Sequence, residues 1–189
     1  MFRRVLIGGA ATVLVAMTAS EIIHPPSPKL LYNPSESAPI GFYKIRKNSN
    51  YQRGDFVAAY APDWARELAE TRGYLPKDYP LIKMIWAVEG DQVCADNRQV
   101  SGPNGSDIAR LLQDRLGRDM PTFDGCITLG KGEYFLVSID EEYGKTYGFD
   151  SRYFGVVKDE QILGHVQYLG EDMFGSADNN TEKLAEGEK

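Results

Sequence analysis

Between Val5 and Ile23 the chain reads VLIGGAATVLVAMTASEII, its one long apolar run; beyond it, hydrophobic positions come in short packets parted by Pro, Gly, Asn and Asp. Packets of that length, rich in β-branched and aromatic residues and bounded by turn formers, predict strands. GFYKI and DFVAAYA are two, joined by the polar turn RKNSNYQRG. PLIKMIWAVEGDQVCAD is a strand, a Gly-Asp turn and a second strand, and CITLGKGEYFLVSID and FDSRYFGVVKDEQILGHVQYL supply the last ones. Two stretches carry helical spacing instead. PDWARELAETRGY has Trp64 and Leu68 four apart, with Asp63 as cap and Gly73 as stop. SDIARLLQDRLGRDMP sets Ile108, Leu111, Leu112 and Leu116 on one helical face behind Ser106 or Asp107 as cap. The expected fold is a mostly β, antiparallel domain with two short helical insertions and no internal repeat.

The apolar run comes after Arg3 and Arg4. As a helix it is roughly 28 Å long at ~1.5 Å per residue, close to the ~30 Å of a bilayer core. The arginines place the N-terminus in the cytoplasm and the rest of the chain outside. Residues 1–23 read either as one N-terminal transmembrane helix or as a cleaved secretory signal, since VAMTAS offers small residues for a cut; both versions export the remainder of the chain. Residues 24–33 form a Pro-rich tether, 34–170 the folded domain, and 171–189 a polar, acidic tail without periodicity.

Composition narrows the function. A chain of 189 residues, 42% hydrophobic and 25% charged, supports one well-buried core. A net charge of -6 offers no basic stripe for a phosphate backbone, so nucleic acid is not an expected partner. The two histidines, His24 and His165, have no Cys, Asp or Glu at ligand spacing, and no metal or other cofactor is expected. In an oxidising compartment Cys94 and Cys126 are candidates for a disulfide, the alternative being two buried unpaired thiols.

Two polar features stand out against this background. In LIKMIWAV, alternation puts apolar residues on both faces of a strand, yet Lys83 is among them. Burial disfavours the charged form, and a lysine left at its ordinary pKa is neutral in only about one molecule in a thousand near pH 7.5. In NPSESAPIGFY, Ser35 and Ser37 stand two apart between Pro34 and Pro39. A serine hydroxyl becomes a nucleophile when a neutral base takes its proton, and Ser/Lys is one such pairing.

S-x-S-x-P-x-G after an apolar run, IKMIWAVEGDQV, and FDSRYFG near the end resemble the successive boxes of the type I signal peptidases. The NPSESAPIGFY form, the cysteine pair and GEYFLVS…DSRYFG most resemble the TraF-type signal peptidases of conjugative transfer systems. The resemblance covers roughly residues 31–170. It implies a signal-peptidase-like β domain acting as a membrane-tethered serine endopeptidase on exported preproteins at the outer, periplasmic face of the cytoplasmic membrane. Conjugative pilin processing is the favoured role, beside conjugative transfer or type IV secretion components; general signal-peptide removal and a catalytically silent module of such a complex are the alternatives. It implies Ser37 as nucleophile, Lys83 as general base, Ser35 and the Ser37 N–H as oxyanion hole, and Asp150 and Arg152 as supporting residues. Members commonly carry a serine two residues before that Asp to orient the lysine. This chain has Gly148 there, and Thr146, Tyr147 or a water is the expected substitute.

Overall fold

The computed structural model describes residues 28–48, 50–138 and 148–171, so the expected membrane segment, the tail from residue 172, Thr146 and Tyr147 lie outside the described residues. The strands are β1 (Leu30–Asn33), β2 (Gly41–Arg46), β3 (Phe56–Ala59), β4 (Leu81–Ala87), β5 (Gln92–Ala95), β6 (Gln99–Ser101), β7 (Asp107–Ala109), β8 (Gly125–Thr128), β9 (Glu133–Val137), β10 (Val157–Lys158) and β11 (Ile162–Gly170). Two helices are present among the described residues besides 3-10 turns: α1 (Asp63–Thr71) and α2 (Ser151–Phe154). Seven strands form one sheet in the order β1-β2-β11-β3-β4-β9-β10, and four form a second in the order β7-β6-β5-β8. Every pairing is antiparallel. The mostly β, antiparallel expectation therefore holds for the described chain, and β1 takes up the last residues of the expected tether.

Strand β4 runs between β3 and β9 and is covered on both faces, as its two-sided apolar pattern requires. Ile85 and Val57 pack with Leu136, Phe154 and Val157 on one side; Ile82 packs with Leu31, Tyr43 and Ala58 on the other. A third cluster, Trp86, Val93, Val100 and Phe135, joins the two sheets. The disulfide Cys94–Cys126 links β5 to β8, where the two residues are direct cross-strand partners.

Both helical expectations need correction. In α1 the N-cap is Pro62 rather than Asp63, which lies in the first turn and pairs with Arg66. Its buried stripe is Ala65 and Ala69, while Trp64 is exposed; Gly73 does come after the helix end, with φ of 69°. The second helix does not form. Asp107–Ala109 instead pairs with β6, so its backbone groups are satisfied in a ladder. Beyond it the Asp114 side chain accepts from the N–H groups of Leu116 and Arg118, and Gly117, at φ of 74°, closes the turn. An Asx-type turn thus competes with the helix and wins. Leu112 and Leu116, placed by the helical pattern on a buried face, are 51% and 75% exposed.

Gly41 begins β2 at φ of 139°, and a Cβ there would lie 2.4 Å from the Gly170 carbonyl oxygen. Only glycine allows this approach of β2 to the end of β11. Gly41→Ala should lower unfolding stability by at least about 1–3 kcal/mol, measured by denaturant titration.

Candidate active site

The loop between β1 and β2 that carries Ser35 and Ser37 is organised by Asn33, which is buried. Its amide nitrogen donates to the carbonyls of Ser35, Ala38 and Pro39 at 2.7, 2.9 and 3.2 Å. Its amide oxygen accepts from the Ser35 hydroxyl at 3.0 Å. Tyr43 adds a bond from its hydroxyl to the Pro39 carbonyl at 2.7 Å. The curled loop holds Ser35 Oγ and Ser37 Oγ 3.0 Å apart, with Ser37 half-buried.

Lys83 comes from the middle of β4 and is 2% exposed. Its Nζ donates to the Ser138 hydroxyl at 2.9 Å. Burial is the largest influence on its pKa and lowers it; nearby Asp150 raises it and Arg152 lowers it, leaving the amine at about 8 rather than 10.5. Ser37, Ser35 and Lys83 line one cleft of about 660 Å³, together with Arg72–Leu75, Leu111, Gln113–Leu116, Arg118 and Met120. Among the described residues no hydrogen bond joins Ser37 to Lys83.

Behind the lysine, Asp150 and Arg152 are fully buried. The guanidinium forks onto the carboxylate, Nε to Oδ1 and Nη2 to Oδ2, both at 2.8 Å. It also donates to the carbonyls of Ala109 and Gly148. Burial alone would raise the Asp150 pKa, but the charge and hydrogen bonds of Arg152 outweigh it and hold the carboxyl below its ordinary range. Asp150 also caps α2 by accepting from the Arg152 N–H. Its Oδ2 accepts from both the backbone N–H and the hydroxyl of Ser138, each at 2.9 Å.

The expected Ser35, Ser37, Lys83, Asp150 and Arg152 thus fall at or directly behind one cleft, while Cys94 and Cys126 sit in the second sheet. His165 does not line the cleft; it bonds Asp55 from β11. Sequence reasoning missed Asn33 and Ser138. The Asn-Pro pair at Asn33–Pro34 is a turn-initiating signal. A hydroxyl at the end of the apolar packet EYFLVS is the same kind of anomaly that picked out Lys83.

The chain belongs to the family described as "Signal peptidase, peptidase S26", which it matches over residues 2–169. Within that family it is TraF-like: it is 33% identical over 141 residues to the conjugal transfer protein TraF of Agrobacterium fabrum, covering 70% of this chain and 77% of the relative. A signal peptidase I from Enterococcus faecalis, of known structure, is 21% identical and covers 66% of this chain and all of its own, with a TM-score of 0.35.

The buried lysine makes stability depend on pH. Between pH 8 and 10.5 the unfolded chain holds the Lys83 proton and the folded chain does not, so this group makes stability rise with pH across that window. Below pH 8 the full penalty remains, about 3–4 kcal/mol for a fall from 10.5 to about 8 at ~1.4 kcal/mol per pKa unit. Lys83→Met should therefore melt above wild type at pH 7, with the difference shrinking towards pH 10.5, as measured by calorimetry at several pH values.

Proposed function

We propose that the protein is a serine endopeptidase with a Ser37/Lys83 dyad that cleaves exported precursor proteins. The observation that carries this reading is a lysine buried in an apolar strand, with its amine brought to about 8, at the cleft that Ser37 also enters. A structural lysine gains nothing from that placement. A general base gains a neutral form near working pH.

In the proposed reaction Lys83 Nζ takes the Ser37 proton as Oγ attacks the scissile carbonyl carbon. The Ser37 N–H and the Ser35 hydroxyl stabilise the oxyanion. Ser35 turns from Asn33 towards the substrate for this, since in the free protein its hydroxyl donates to the Asn33 amide oxygen. The lysine ammonium then protonates the leaving amine. A water, deprotonated by Lys83 Nζ, attacks the acyl carbon; the bond to Ser37 Oγ breaks, the acid product leaves, and the lysine ammonium returns the proton to Ser37 Oγ.

The likeness to a conjugal transfer protein supports maturation of a conjugative pilin subunit over general signal-peptide removal. The expected N-terminal segment supports tethering at the outer face of the cytoplasmic membrane, N-terminus inside. Gly148, the feature that favours a silent module, loses its force because Lys83 already has a hydroxyl partner.

Full-length protein in detergent, incubated with candidate pilin precursors and read by intact mass, tests this. Ser37→Ala, Lys83→Ala and Lys83→Arg should each abolish cleavage while the fold survives, the last because arginine keeps its proton. Ser35→Ala should lose about 10² to 10³ in turnover and retain the rest. His165→Ala should stay within a few fold of wild type. Cleavage persisting in Lys83→Arg would remove Lys83 as the base.

A further inference from the structure

A lysine serving as base must aim its lone pair at the serine, which requires its N–H bonds to be engaged elsewhere. We infer that Ser138 is the positioning residue for Lys83, with Asp150 fixing the direction of the Ser138 hydroxyl; this rests on the Ser37/Lys83 reading.

The strand register produces the pair. Met84 stands opposite Val137, so one step along the same antiparallel ladder brings Lys83 opposite the residue after β9, which is Ser138. Directly opposite residues share a face of the sheet, close enough for their side chains to meet. Here Nζ and Oγ are 2.9 Å apart and both residues are buried.

Asp150 sets the polarity of the bonds. Its carboxylate, kept ionised by Arg152, has no proton to give and can only accept. The single Ser138 hydroxyl proton goes to Asp150 Oδ2. Ser138 Oγ therefore meets Lys83 with a lone pair and takes an N–H from it. The Ser138 backbone N–H, bonded to the same Oδ2, holds the residue against rotation of the strand end. In related chains the orienting serine commonly sits two residues before the Asp. In this one that position is Gly148, which contributes a carbonyl to Arg152, and the hydroxyl arrives from β9.

The test measures turnover against pH for full-length protein in detergent, on a quenched-fluorescent peptide with small residues at the cleaved bond, alongside melting temperatures. Ser138→Ala should lower kcat about 10²-fold, the scale of a misplaced reacting group, with KM within about threefold and a shifted acidic limb. Ser138→Thr keeps the hydroxyl and should recover to within a few fold. Ser138→Cys preserves size but accepts hydrogen bonds poorly, so it should fall like the alanine variant even if that one folds badly. Gly148→Ser placed in Ser138→Ala should restore part of the loss, as a purely structural role for Ser138 would not permit. Wild-type kcat and pH profile in both Ser138→Ala and Ser138→Cys, or equal losses in the alanine and threonine variants, would overturn the inference. Lys83→Ala run in parallel separates the two claims. If it is inactive while both Ser138 variants behave as wild type, only the positioning role falls; if it retains full turnover, the dyad itself falls.

Discussion

The lysine side of the cleft depends on one buried carboxylate, that of Asp150. It is reached by Arg152 from the one-turn helix it caps and by the backbone and hydroxyl of Ser138 at the end of β9, and the remaining Arg152 nitrogen, Nη1, donates to the Ala109 carbonyl at the end of β7. A buried ion pair is poor evidence of stability by itself, because desolvation offsets most of its attraction. Its value here is positional. The first sheet, which carries the lysine, and the second sheet, whose β7 leads into the lining of the cleft, are referred to the same two side chains.

The pair also resolves a conflict in electrostatics. A lone carboxylate near Lys83 would orient it well but hold it protonated. Asp150 does raise the lysine pKa, and Arg152 lowers it, so the two charges oppose each other and burial is left to set the outcome. Asp150 can thus orient Lys83 through Ser138 without committing it to the charged form. Arg152 in turn satisfies Asp150 and prevents a buried carboxyl from taking up a proton.

Much of this was legible in the sequence because it violated local rules. A lysine in a strand apolar on both faces, and two serines fenced by prolines, are costly unless used, and such residues are visible without a structure. The strands were legible for the opposite reason: their packets and turns agree with the fold. What escaped was non-local. Leu111, Leu112 and Leu116 keep helical spacing, but ladder bonds from β6 and the Asp114 turn override it, and no periodicity within the segment records either. Ser138 escaped because its meaning comes from a strand register and from Asp150, 12 residues away in sequence, whereas the family pattern pointed to Gly148. Trp64 has the spacing of a packing residue, yet the buried side chains of α1 are Ala65 and Ala69, with Ala65 in the core cluster, and Trp64 is exposed.

The central claim is that folding makes Lys83 neutral near working pH. It can be measured without any substrate by tracking the side-chain NMR signals of Lys83 through a pH titration of the full-length protein in detergent, with Lys83→Met used to assign them. The account predicts a titration midpoint near 8. A midpoint at or above 10.5, the ordinary value for lysine, would contradict it.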